Sequence, residues 1–300
     1  MNLAPSSPFQ QLVRRLRQME IRILKAVDAQ LQGDFHSVFK GTGLEFDDVR
    51  LYQYGDEVRA IDWAVSSKGH GTFVKTYKEE REQQVLLLLD VSGSQQVGAA
   101  TRRKIDVGRE ICGVLALAAA RQDAQLGILA FSDQKELFLP PGKGIRHAYA
   151  LIKRLFALEP QSKQTDVAAG IKQALGLLKR RTIVLLISDF IDTPYERELI
   201  MLARKHDLVV LQLLDQRERE FPPLGIIPLH DQESGRTVWV NTSSRAFRAR
   251  YRATYEQNRD QISQICRRHR TEYLSIATDT DFVPQLVNLF RRRNQRGGRG

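Results

Sequence analysis

Val85-Leu86-Leu87-Leu88-Leu89-Asp90-Val91-Ser92-Gly93-Ser94 is the stretch on which the reading of this chain turns. Five consecutive apolar residues, closed by a polar segment with a glycine, describe a short strand buried on both faces, as in a parallel sheet. The strand opens into D-x-S-x-S, one carboxylate and two hydroxyls at alternate positions. A curled loop would bring the three oxygens to one point. Such a set suits a hard divalent cation such as Mg2+, which takes oxygen donors in octahedral geometry and keeps several waters. The plainer alternative is a strand-to-helix turn in which Ser92 or Ser94 caps the next helix.

Two later segments add to this. Thr165-Asp166 follows the polar run Gln161-Ser162-Lys163-Gln164 and opens a helical pattern, and Ser188-Asp189 closes a second apolar run, Ile183-Val184-Leu185-Leu186-Ile187. Thr165 and Asp189 stand 75 and 99 residues beyond Asp90, which leaves room for two βα units. All three sites fall where strands end, the edge at which open α/β sheets bind ligands. Singly, Thr165 is an ordinary helix cap and Asp189 an ordinary turn residue. In the order D-x-S-x-S, then T, then D, they resemble the metal-ion-dependent adhesion site (MIDAS) of von Willebrand factor A domains.

Strand and helix patterns alternate around these sites. Strands are expected near 85–89, 126–131, 183–187, 208–214 and 273–277, with a short antiparallel edge strand at 136–139. Helices are expected near 102–121, 145–158, 167–180, 195–206, 244–270 and 282–292. This order implies an α/β fold, a doubly wound, mainly parallel sheet covered on both faces and Rossmann-like in general plan. A hairpin interrupts it, with 225–230 and 237–240 flanking the Gly-bearing turn 231–236. The expected division is 1–82 for an N-terminal helix and a polar, aromatic segment, 83–290 for the α/β domain and 291–300 for a basic tail.

Leu12, Leu16, Met19, Ile23 and Val27 recur at spacings of three and four, which predicts an amphipathic helix over 9–31 packed on the domain and ended by Gly33. Arg14, Arg15 and Arg17 lie mostly off that stripe. Residues 41–82 are dense in polar and aromatic side chains. Within them, Arg59 and Asp62 are close enough to bond each other or nearby backbone in a compact turn, which Trp63 would anchor in apolar surface. A binding site for an anion or metal at Asp56, Arg59 and Asp62 is the alternative, although no nucleophile or base accompanies them.

Composition narrows the function. With 42% hydrophobic residues in 300, the chain can bury a sizeable core, and no apolar stretch reaches the ~20 residues of a membrane span. The first residues lack a signal peptide's basic and apolar regions, and of the two cysteines Cys112 falls inside an apolar helical pattern and reads as a reduced core residue, so a cytoplasmic location is expected. Six scattered histidines give no zinc pattern. The net charge is +11, and from Ser243 to Gly300 there are thirteen arginines and five acids. That end could meet nucleic acid, an anionic membrane surface or an acidic protein. No aromatic interleaves the tail, so base stacking is missing there.

The run Arg50-x-Tyr52-x-x-Gly55-Asp56-x-x-Arg59-x-Ile61-Asp62-Trp63, followed some thirty residues later by D-x-S-x-S, resembles a bacterial and archaeal family of unknown function with a von Willebrand factor A-like fold. The resemblance covers roughly 31 to 281. It makes Arg50, Gly55, Asp56, Arg59, Asp62 and Trp63 a structural family motif. It also implies a partnership with MoxR-type AAA+ ATPases in maturing client proteins. At the metal site it implies that Ser92, Ser94 and Thr165 hold Mg2+, or Mn2+ or Ca2+, directly or through water. Asp90 and Asp189 would bind it or hold its waters, and one position would stay open for a partner's Asp or Glu. Asp166 would be a nearby acceptor or a helix cap, and Asp192 a cap.

Enzymatic readings fit the residues poorly. A haloacid-dehalogenase-type phosphotransferase needs an Asp where Ser92 stands. Gly142-Lys143-Gly144 lacks the rest of a phosphate-binding loop, and no G-x-S-x-G elbow exists. The expectation is therefore a metal-dependent protein–protein interaction module, not an enzyme, acting as adaptor or co-chaperone. The alternative is a nucleic-acid-binding protein that uses the arginine-rich C-terminal region.

Overall fold

The apolar run at 85–89 becomes the middle of a six-stranded sheet. The computed structural model describes residues 13–14, 16–18, 21 and 40–297, apart from 70, 83, 100–101, 123, 192–193, 221 and 231–236. In chain order the strands are β1 (Lys40–Leu51), β2 (Phe73–Glu82), β3 (Gln84–Asp90), β4 (Gly98–Ala99), β5 (Arg102–Arg103), β6 (Gln125–Phe131), β7 (Lys135–Gly142), β8 (Ile183–Ser188), β9 (Asp207–Leu214), β10 (Ile226–His230), β11 (Thr237–Asn241) and β12 (Glu272–Ala277). After the helical residues near 13–21 come α1 (Trp63–Ser66), α2 (Lys104–Arg121), α3 (Gly144–Phe156), α4 (Val167–Leu177), α5 (Glu196–Lys205), α6 (Gln216–Arg219), α7 (Arg245–Arg268) and α8 (Val283–Gly297).

The principal sheet runs β12-β9-β8-β3-β6-β7, parallel throughout except for β7 against β6. The expected architecture is therefore present, a doubly wound and mainly parallel α/β sheet with an antiparallel edge strand. β7 carries Pro140 and Pro141, which an edge strand tolerates because proline has no N–H for a second neighbour. The β10–β11 hairpin is also present, while its turn at 231–236 lies outside the described residues.

Alternate residues of the central strands feed two separate cores. Leu87, Leu89, Leu185, Ile187 and Leu211 pack with residues of α2, α3 and α8, and Leu86, Leu88, Leu186 and Val210 pack with α4, α5 and α7. Double-sided burial explains why β3 and β8 are apolar without alternation. The chain starts outward from β3 through α2 to β6, then returns across the sheet to β8 and moves the other way. Winding thus reverses between β3 and β8, so the ligand-binding crevice of this topology lies where Asp90 and Asp189 emerge.

Of the expected N-terminal stripe, Leu16 is fully buried in the α2–α3 core. Gly113 makes its seat, since a Cβ there would lie 2.9 Å from a Leu16 methyl. Arg17 is exposed but not merely solvated, because its Nε donates to the Tyr149 hydroxyl at 2.8 Å and its guanidinium sits 5.6 Å from the ring centre. Leu12, Arg15, Met19, Ile23, Val27 and Gly33 lie outside the described residues, as does Asp192.

Residues 41–82 depart from expectation. They hold a long antiparallel ribbon, β1 with β2, which joins no other strand among the described residues apart from a single bridge between Val74 and Ile61. Asp48, Arg50 and Leu51 of β1 are exposed, and of the residues 73–75 that pair with 49–51 only Val74 is buried, so this part of the ribbon has too little buried surface to impose an alternating pattern. No bond joins Arg59 to Asp62. Asp62 instead caps α1, its Oδ1 accepting from the N–H groups of Ala64 and Val65 at 2.9 and 3.2 Å. Asp56 takes a two-pronged contact from Arg50 at 2.7 and 2.8 Å and accepts from Gln53 N at 2.9 Å. Gly55 closes that turn at φ +108°, a backbone shape that side chains resist. Trp63 is 67% exposed, so it does not anchor the segment in apolar surface. Its place at the first position of a four-residue helix leaves the indole outside both cores.

Candidate functional site

Asp90 ends β3 with no exposed surface, and Ser92 is buried beside it. The loop curls as its sequence suggests. Ser92 N donates to Asp90 Oδ1 at 2.9 Å, and the Ser92 and Ser94 hydroxyls stand 3.1 Å apart. Neither serine caps α2, whose N-cap is Arg103, its N–H donating to Asp106 at 3.0 Å. The other oxygen of Asp90 accepts from Ser188 Oγ at 2.7 Å and from Gln95 Nε2 at 3.1 Å. Ser188 is the last residue of β8, so this bond ties the two strands together where the winding reverses.

Thr165 comes to the same edge through its loop. Gly93 N donates to the carbonyl of Lys163 at 2.8 Å, which fixes the serine loop against the segment that carries Thr165. Asp166 is the helix cap of its two readings, accepting from Ala169 N at 2.7 Å.

Asp189 is buried at the end of the same crevice, but a side chain the sequence reading passed over engages it. Lys104 Nζ donates to Asp189 Oδ2 and to Glu218 Oε1, both at 2.5 Å, with no exposed surface on the lysine. Burial pulls the Lys104 ammonium's pKa down, yet the two carboxylates outweigh it and hold the group above its ordinary range. Glu218 is raised by burial, with Lys104 opposing. Lys104 shares the stripe of Gly108, Ile111 and Leu115 on α2, so a lysine in line with apolar spacing was the available signal. Nothing comparable marks Glu218, on the four-residue α6.

Among the described residues, no such cation bonds to Asp90. Burial first, and the charge of Asp189 second, push its carboxyl up to about 6, against the hydrogen bonds from Ser92 and Ser188. Beside it, the Oε1 of Gln95 is buried without a hydrogen-bond partner among the described residues. Just past Asp189, the buried Phe190 takes φ +57°, a region a non-glycine residue rarely adopts and one found often at functional sites.

Asp90, Ser92, Ser94 and the Thr165 loop offer hard oxygen donors beside an acid that lacks a countercharge, which fits Mg2+, Mn2+ or Ca2+ in chemistry. Asp189 fits less directly, since Lys104 already neutralises one of its oxygens. Among the described residues, no group of three or more His, Cys, Asp or Glu side chains could hold a metal, so such a site depends on its hydroxyls.

Fold and crevice together define a class, an α/β protein with a hydroxyl-and-carboxylate site at the carboxyl edge of a doubly wound sheet. The chain belongs to the family described as "Protein of unknown function DUF58", whose model matches residues 48–261. An uncharacterized protein of Mycobacterium tuberculosis (strain H37Rv) is 28% identical over 287 residues, 95% of this chain and 90% of that one. One from Mycobacterium avium is 26% identical over 165 residues, 53% of this chain and 97% of that one. Among solved structures, BatB from Bacteroides thetaiotaomicron aligns at TM-score 0.47 and 12% identity, over 71% of this chain and 99% of that one. The SpRpn10 VWA domain aligns at TM-score 0.38 and 12% identity, over 69% and 95%. Likeness at that level adds nothing to what the strand order itself establishes. No helix among the described residues is long and apolar enough to cross a membrane.

Proposed function

We propose that this chain is a metal-dependent protein–protein interaction module, an adaptor or co-chaperone that works with a MoxR-type AAA+ ATPase on client proteins. The observation that carries the reading is Asp90, a fully buried carboxylate at the winding reversal, with the paired hydroxyls of Ser92 and Ser94 beside it. Ser92, Ser94, Thr165 and Asp90 would hold the ion. A bound divalent cation supplies the positive charge that attracts a partner's Asp or Glu. Ser188 and Gln95 orient Asp90, and Lys104 offsets part of the charge of Asp189 and Glu218, so that with the cation bound the crevice would present little net negative charge to an approaching carboxylate.

Exposed apolar side chains support a docking role. Tyr54, Val58 and Trp63 beside the β1–β2 ribbon are largely exposed, as are Ile226, Val238 and Trp239 on the β10–β11 hairpin. Large side chains of this kind gather on surfaces that other proteins cover.

The reading is tested by Mn2+ relaxation titration and by co-precipitation from cell extract with and without EDTA. Wild type should bind Mn2+ at micromolar to millimolar concentration, and Ser92→Ala/Ser94→Ala should bind at least tenfold more weakly. Asp90→Asn should lose the ATPase that wild type retains, while removal of residues 294–300 should leave it bound. Equal Mn2+ binding by wild type and the double serine variant would sink the metal site. Retention that ignores EDTA and fails on tail removal would instead favour the nucleic-acid or membrane-surface reading.

A further inference from the structure

At the opposite edge of the sheet, where β8, β9 and β12 begin, lies an open groove of about 960 Å3. It is walled by the ends of α5, α7 and α8. Arg181, Arg267, Arg270, Arg292 and Arg293 line it, against two acids, Asp207 and Glu272. Arg293 is bonded to Asp207, which leaves the other arginines to set the field. Helix C-termini attract cations, and that accounts for Arg267 in the last turn of α7. It does not account for Arg181 and Arg270, which stand in loops after α4 and α7. The side chains of Arg181, Arg267 and Arg270 meet no carboxylate among the described residues.

Two observations separate this groove from a merely basic surface. His206 lines it with 4% of its surface exposed, and neither ring nitrogen has a hydrogen-bond partner among the described residues. A buried polar ring left unpaired carries a desolvation cost that a ligand could offset. Arg270 sits at φ +54°, just beyond the α7 cap, where glycine is the usual residue. The chain thus holds a long cationic side chain in a backbone shape that disfavours it.

We infer that this groove binds a compact phosphate-bearing polyanion, gripped by guanidinium groups from three segments and by a ring N–H of His206. Burial, with Lys205 and Arg181 nearby, holds the His206 pKa below its ordinary value, so near neutral pH the ring is uncharged and offers one N–H donor. Guanidinium forks match phosphate oxygens in pairs. The arginines converge on one hollow and do not follow a track. Of the rings lining it besides His206, Tyr273 is partly buried with its hydroxyl bonded to Gln212, which leaves the exposed His269 as a single platform, too little for a stacked strand of bases. A small polyphosphate suits that shape better than a nucleic acid.

Calorimetric titration of the full chain with inorganic tripolyphosphate at 150 mM salt tests this. Wild type should show one saturable site. Arg270→Gly should bind at least tenfold more weakly while melting at the same or a higher temperature, because glycine relieves the backbone. His206→Leu, close in volume but without a donor, should weaken binding several-fold. Arg154→Ser removes the same charge from α3, away from the groove, and should bind as wild type does. Unchanged binding by Arg270→Gly would overturn the inference, as would equal weakening by Arg154→Ser. So would displacement of tripolyphosphate by oligothymidylate with affinity that climbs with length, or by anionic lipid vesicles but not by free phosphates.

Discussion

Asp90 holds its charge against its surroundings, and that has a measurable consequence. Its carboxyl lies at about 6 in the folded chain and near 3.8 when unfolded. Between those values the native state binds more protons than the unfolded one, so stability falls as pH rises through that window. A shift of that size corresponds to about 3 kcal/mol, present as destabilisation above pH 6 and absent below pH 4. Asp90→Asn should therefore raise the melting temperature at pH 7.5 without divalent ions and lose that advantage at pH 4. The hydroxyl of Ser188 and the amide of Gln95 can each turn to accept from the new amide. A pH series of thermal melts in EDTA decides this, and a variant less stable than wild type at pH 7.5 would show that the lost hydrogen bonds outweigh the relieved charge. Trp63 calls for the opposite expectation. With most of its indole in solvent, Trp63→Ala should stay within about 0.5 kcal/mol of wild type in urea denaturation. The motif's indole was legible in the sequence, but its exposure was not, because a tryptophan reads as core until its neighbours are known.

Lys104 joins three elements that are far apart in the chain. Through one ammonium, the start of α2 is pinned to the loop after β8 and to α6. Removing the cation leaves Asp189 and Glu218 buried together without compensation. Lys104→Met should cost about 3–5 kcal/mol, by the usual measure for one partner of a buried ion pair. Lys104→Met/Asp189→Asn/Glu218→Gln should recover most of that loss. Urea denaturation of the three chains, including wild type, checks both statements, and a Lys104→Met variant as stable as wild type would mean the triad is structurally idle. At this scale the strands and helices of the main sheet were readable, since runs such as 183–187 and the cap at Asp166 are local signals. The β1–β2 ribbon was not, because one buried residue, Val74, among 48–51 and 73–75 leaves no alternating pattern.

The whole molecule has two chemically different sheet edges. The carboxyl edge gathers hydroxyls and acids at the winding reversal, and the opposite edge gathers arginines around an unpaired histidine. Two hydrophobic layers of β3, β8 and β9 lie between them. Substitutions at one edge should therefore leave the other unchanged. Sequence by itself determined the buried strands, the order in which they alternate with helices, and the oxygen-bearing residues at their ends. These depend on neighbours within a few positions, through hydrophobic period and turn chemistry. Tertiary structure alone decided that Lys104 answers Asp189, that Ser188 holds Asp90, and that Arg181 and Arg270 line one groove. Each of those pairings joins residues brought together by the order of strands in the sheet. Electrostatics and desolvation act across a few ångströms of space, whatever the distance along the chain.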